Sequence, residues 1–187
     1  MRQIPWISAV VLLFVASCGA GVAPTGSNGG GLSITEAAES CASDDNARAN
    51  AAVLMASAEA DLGGSFRGIT ERAARKSGKP LDEYILQLWT EVLTVLPDGS
   101  ITFQNAGAQI DSEVDTLVGK QSPLGMIILG ANECFQTAIG LPERIDSQIG
   151  QTRALDGIQE ASWGEFVARW NFHPVSGLTI TYYLSES

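Results

Sequence analysis

The chain is short of the groups that most often carry chemistry. One histidine and three cysteines are spread over 187 residues, so a His- or Cys-rich metal cluster is excluded by inventory. No Gly-x-Ser-x-Gly elbow occurs, which removes one common way of presenting a serine nucleophile. Cations are scarce as well. Eleven Lys and Arg against 21 Asp and Glu leave a net charge of −10, and that argues against general binding to DNA or RNA, where cations must replace phosphate counterions. Charged residues make up only 17% and apolar ones 45%, the balance of neither a disordered chain nor a multi-span membrane protein. The length fits one domain with appendages and is ample for a buried core.

What is present begins with an address. Arg2 precedes an apolar stretch, Ile4 to Ala16, broken only by Pro5 and Ser8. It is too short to cross a hydrocarbon core of about 30 Å as a helix, and it has the basic entry and length of a secretory leader. The stretch ends in Val15-Ala16-Ser17-Cys18, which resembles the lipobox of bacterial lipoproteins: a branched apolar residue, two small ones, then Cys. The resemblance covers residues 1–18 alone. It implies that residues 1–17 are a signal peptide, that the Cys18 thiol receives a diacylglycerol, that cleavage precedes Cys18, and that the new amine is acylated, palmitate being a typical chain. An ordinary secreted protein cut near Ala20, with Cys18 incidental, is the competing reading.

Two or three acyl chains hold a protein stably at a bilayer, where one does not. Loss of Arg2 with the leader would take the net charge from −10 to −11. Gly19 stands where such lipoproteins carry an Asp when they are retained at the inner membrane, so the resemblance implies the outer membrane where an organism has two membranes. Otherwise it implies the outer face of the cytoplasmic membrane. Residues 18–31 continue as a Gly-rich stretch with Pro24, Thr25, Ser27 and Asn28. Such a composition reads as a flexible tether spanning roughly 20 Å, with a single domain over 32–187.

Export would place that domain in an oxidising compartment. With Cys18 lipidated, Cys41 and Cys134 remain, and a pair in a secreted domain reads as one disulfide. Two buried free thiols are the alternative.

Periodicity supplies the architecture. Ser33-Ile34-Thr35-Glu36 has the spacing of a capping box, opening a helix from about Ile34 to Ala42. Ser43-Asp44-Asp45 offers a second start, and the Ala-rich run to Leu62 is helical by propensity. Ser65 is placed to cap a third helix, Phe66 to Lys76, that ends at Gly78. From Pro80, apolar residues at Leu81, Tyr84, Ile85, Leu88, Trp89, Val92, Leu93 and Leu96 form one helical stripe. Its end is also rich in β-branched residues, so the expected layout is helix to about Trp89 and then a hairpin, Thr90–Leu96 and Ile101–Phe103, turned at Pro97–Ser100. Asp111–Val118 is a short element of undefined type. Ser122-Pro123 announces a further helix, buried through Leu124, Ile127, Ile128, Ala131, Phe135, Ala138 and Ile139 and ended by Gly140. Leu141–Gln159 reads as a polar link with a short helix after Pro142. Alternation over Phe166–Phe172 and Leu178–Leu184, with a turn between, is a hairpin. Helices first and hairpins later indicate an α+β fold: N-terminal helices packed on one face of a small antiparallel sheet, with a C-terminal β-hairpin.

Four candidate sites need weighing. His173 is the only imidazole, but it precedes Pro174, which forces an extended backbone and suits a turn. Asp111, Glu113 and Asp115 alternate like the first half of a calcium loop, yet Thr116 stands at the turn glycine and Ser122 at the twelfth ligand position. Glu160 and Glu165 flank Trp163, a faint suggestion of a carbohydrate platform beside two carboxylates. Arg67, Arg72, Arg75, Lys76 and Lys79 bring five cations into thirteen residues against one acid, Glu71. Cations near a helix C-terminus are favoured by its dipole, and the same cluster would suit contact with anionic headgroups or an acidic partner.

Two functions from different classes follow. One is a non-enzymatic envelope lipoprotein, held at the membrane by its N-terminal lipid while the domain binds another envelope protein or component, with no cofactor and no nucleic acid. The other is a small lipid-anchored hydrolase using dispersed carboxylates, for example on envelope glycan. A third, lesser reading is carriage of a small ligand in a pocket between helices and sheet.

Overall fold

A four-stranded antiparallel sheet, with strands in the order Ile101–Ala106, Gly177–Leu184, Phe166–His173 and Gln159–Trp163, carries the core on one face. The computed structural model describes residues 32–62, 64–106, 123–174 and 176–185, which belong to the unit Gly31–Ser187. In chain order its elements are α1 (Ile34–Ala42), α2 (Asp44–Leu62), α3 (Gly64–Ser77), α4 (Leu81–Val92), β1 (Ile101–Ala106), α5 (Pro123–Ala138), α6 (Glu143–Gln151), β2 (Gln159–Trp163), β3 (Phe166–His173) and β4 (Gly177–Leu184). This is an α+β fold with four helices leading and the β3–β4 hairpin closing the chain.

Local chemistry accounts for most helix boundaries. Ser33 Oγ accepts from the Glu36 amide while Glu36 Oε2 accepts from the Ser33 amide at 2.9 Å, so both halves of the capping box form. Those hydrogen bonds, the backbone one foremost, hold the Glu36 carboxyl below its ordinary pKa. Helices α3 and α5 both end on a left-handed glycine, Gly78 at φ 74° and Gly140 at φ 62°. In each case the following amide reaches back to the helix, Lys79 to Ala74 O and Leu141 to Gln136 O, satisfying carbonyls the helix leaves orphaned,.

Helix α5 is the hub. It lies against β1 and meets α1, α2, α3 and α4. Ile127, Ile128, Ala131 and Phe135 are buried along it, at the spacing of one helical face. Gly130 permits its close approach to the other helices: a Cβ there would sit 2.6 Å from Leu54 Cδ1 and 3.2 Å from Trp89 Cζ3. Phe103, Phe135 and Tyr182 pack as a tilted and edge-on aromatic trio with centroids 5.3–6.1 Å apart. The Tyr182 hydroxyl donates to Asn132 Oδ1 and accepts from Gln136 Nε2 at 2.7 Å. Burial drives its pKa well above the usual phenol value, an effect the Gln136 bond only partly offsets.

Cys41 on α1 and Cys134 on α5 are joined by a disulfide. The pairing expected from the cysteine inventory is therefore present, and it ties the first helix to the hub.

Two sequence expectations give way. There is no hairpin at Thr90–Phe103. Helix α4 runs on to Val92, with Leu93 buried behind it, and Thr90 spends its hydroxyl on the Leu86 carbonyl at 3.0 Å. The stretch 94–96 is not a strand; the Asp98 turn, whose carboxylate accepts from the Ser100 hydroxyl and amide, connects helix to strand instead. Those bonds also hold the Asp98 carboxyl below its usual pKa. Strand β1 finds its partner far along the chain, with Ile101 opposite Tyr182 and Phe103 opposite Ile180. The second departure is β2, which begins at Gln159, where the expected link ends, in a stretch that carried no strand expectation, and pairs with β3. Asp111–Val118 lies outside the described residues.

Candidate functional site

The alanines of α2 line a concavity. Ala47, Ala51 and Ala52 occupy one face of that helix together with Arg48 and Met55, at i, i+1, i+4, i+5 and i+8. Helix α4 faces them with Leu81, Asp82, Ile85 and Leu86, and Arg67 of α3 completes the lining. Small side chains opposite larger ones leave a gap that close packing would otherwise remove. The result is an open groove of about 400 Å³, within the about 300–1,000 Å³ range of small-molecule sites. Its floor continues the core, since Ala47 and Ile85 are buried, while Arg48, Arg67 and Asp82 are exposed. Arg48 makes no ion pair among the described residues.

The five cations noted in the sequence divide in this structure. Arg67 is at the groove. Arg75 and Lys79 face carboxylates one turn away, Glu71 at 3.9 Å and Glu83 at 3.6 Å. Arg75 and Lys76 fall in the last turn of α3, where the helix dipole favours them. Arg72 and Lys76 are exposed and have no ion pair among the described residues.

The other candidates do not come together. Strand alternation places Glu160 and Trp163 on opposite faces of β2,. Trp163 packs on Phe166 and Tyr182 and donates its Nε1–H to the Ile139 carbonyl at 3.3 Å, so its ring is a core margin rather than a sugar platform. Glu160, on the open face, accepts from the Tyr183 hydroxyl at 3.0 Å. Partial desolvation, and after it this bond and the Glu160 charge, raise the Tyr183 pKa. His173 ends β3, and its Nδ1 accepts from the Ser176 amide at 3.3 Å, bracing the hairpin turn. Asp111, Glu113 and Asp115 lie outside the described residues, as does Cys18.

Among the described residues, no three His, Cys, Asp or Glu side chains are grouped to hold a metal ion, and no helix is long and apolar enough to cross a membrane. The groove was missed by sequence reading because its lining is mostly small or aliphatic, drawn from three helices. The one signal was the density of alanine on α2. No protein-family model, curated protein or solved structure matches this chain.

Proposed function

We propose that this protein is a lipoprotein of the bacterial cell envelope, fixed to a membrane through acyl chains on Cys18, whose domain serves as a non-enzymatic binding module. The observation that carries the reading is the fate of the cysteines. Cys41 and Cys134 are bonded to each other, as expected of a domain in an oxidising compartment, and this leaves Cys18 as the one remaining thiol, directly behind an apolar leader. The Gly-rich residues 19–31 would tether the domain near the bilayer, at the outer membrane in organisms with two membranes.

The side chains that chemistry would draw on have structural employment. His173 braces a turn, Glu160 holds Tyr183, and Tyr182 is locked between Asn132 and Gln136. Among the described residues, the groove is lined by a single carboxylate, Asp82, whereas glycan hydrolysis needs a facing pair. The supported role is recognition of a partner or ligand in the envelope.

Replacing Cys18 tests the anchor. In cells fed an alkyne-tagged palmitate, the natural chain takes up the label. Cys18→Ala takes up none and accumulates as the uncleaved 1–187 precursor, because both lipid transfer and cleavage require the thiol. Equal labelling of the two proteins would rule the proposal out.

A further inference from the structure

We propose that the free edge of β2 pairs with the same edge of a second copy of this chain, antiparallel about a two-fold axis at Ala161. The pairing requires neither the membrane anchor nor the α2–α3–α4 groove. What points to it is a set of unpaired backbone groups and the side chains around them.

Strand β2 has β3 on one side and, among the described residues, no strand on the other. A two-residue loop, Gly164-Glu165, joins the two strands, with Trp163 opposite Phe166. Such a loop closes on a hydrogen-bonded pair, and open and hydrogen-bonded pairs then alternate. Gln159, Ala161 and Trp163 therefore spend their amides and carbonyls on β3. The Ser185 amide donates to the Glu165 carbonyl at 2.8 Å, which sets the same phase from the β4 side. The amides and carbonyls of Glu160 and Ser162 are left pointing away from the sheet, with no partner among the described residues. Both residues are exposed. An extended backbone satisfies all four groups at once.

Sheet edges are commonly blunted by a bulge, a proline or a lysine. Strand β1, at the opposite edge, has a register shift between Gln104 and Ala106. Strand β2 runs without a shift and holds neither proline nor lysine. Its one charge, Glu160, is engaged by the Tyr183 hydroxyl of its own sheet and stands opposite Arg169. The strand also complements itself. Centred on Ala161, the pairing sets Glu160 of each copy opposite Ser162 of the other, so four backbone hydrogen bonds form and no like charges meet. Ile158, 62% exposed, falls opposite Gly164, where even an added Cβ would find nothing within 4 Å. Centring on Glu160 instead would set two carboxylates face to face, which is destabilising. Centring on Ser162 would carry Glu160 past the end of the other strand. Five-residue strands bury little area, so the dimer is weak and concentration-dependent,.

Cysteine crosslinking of the purified whole protein, in excess detergent micelles and over a range of concentrations, tests the pairing. Ala161→Cys puts one thiol of each copy beside the axis, in an open pair with Cα atoms about 4.5 Å apart, within disulfide reach. A mild oxidant should convert this variant to a covalent dimer of twice the chain mass, reversed by reductant and well above the background of the natural chain. Ser162→Cys places its two thiols on a diagonal about 7–8 Å apart and should dimerise far less. Two changes added to Ala161→Cys test the register at an exposed position. Ser162→Lys, facing Glu160 of the other copy, should lower the protein concentration for half-maximal crosslinking about threefold to tenfold through two symmetric ion pairs, and Ser162→Glu should raise it as much. Background-level dimer from Ala161→Cys, or equal yields from Ala161→Cys and Ser162→Cys, would overturn the proposal. So would charge variants that leave the half-maximal concentration where it was.

Discussion

Replacing Cys41 and Cys134 together with alanine lowers the unfolding free energy by about 2–5 kcal/mol. The bond closes a loop with a sequence separation of 93, and releasing a loop of that length gives the unfolded chain much of its lost freedom back. The folded side suffers as well. Helix α1 has nine residues, too few to be stable alone. It holds its place through Ile34, Ala37, Ala38 and Cys41, all buried, and through the covalent link to α5. Urea unfolding of the double variant should show a lower midpoint with a similar or larger slope. For a domain of this size, each kcal/mol corresponds to roughly 2–4 °C in Tm. Addition of reductant to the natural protein should reproduce most of the loss. Curves that coincide within about 0.5 kcal/mol, well below the range expected for a native bridge, would show that the bond is dispensable.

Trp89→Ala is expected to cost about 3–5 kcal/mol. The ring has no exposed surface and lies where α4 meets α5, its Cζ3 close beneath Gly130. Its second role is polar. The indole Nε1–H donates to the Cys41 carbonyl at 2.9 Å, one of the terminal carbonyls that α1 cannot satisfy itself. Trp89→Phe separates the two roles: it keeps most of the packing but leaves a buried carbonyl unpaired, and should cost about 1–3 kcal/mol. Because Cys41 contributes both its sulfur and its carbonyl to this junction, the tryptophan and cysteine changes should be non-additive. A double-mutant cycle by chemical denaturation measures that coupling. A loss below about 1 kcal/mol for Trp89→Ala would contradict the placement of the ring.

Signals confined to one turn or one stripe were legible in the sequence. Ser33 and Glu36 marked the start of α1, Pro123 the start of α5, and Gly78 and Gly140 the ends of two helices, because each residue satisfies a local backbone need. Alternation marked the β3–β4 hairpin. Long-range pairing was not legible. The β-branched residues at 90–95 favour a strand by propensity, but Val92 and Leu93 also continue the apolar stripe of α4, and packing against α5 decided between the two. Strand β1 carries nothing that names β4 as its partner, roughly eighty positions later,. Strand β2 is short, and although its exposure alternates, its inward positions are Gln159, Ala161 and Trp163, only one of them large and apolar, so little of that alternation shows in the sequence. The candidate site was hidden for a related reason: Arg48, Arg67 and Leu81 come from three helices, and nothing in their spacing joins them.

Anchoring, compartment and the binding role all follow from what happens at Cys18. Intact-mass measurement of the purified mature protein, with sequencing of its N-terminal peptide, tests that point most directly. The account predicts a chain beginning at Cys18, heavier than its sequence by a diacylglyceryl group, with two thiols becoming alkylatable only after reduction. A mature start at another residue, such as just beyond Ala20, with no fatty adduct on Cys18, would contradict it.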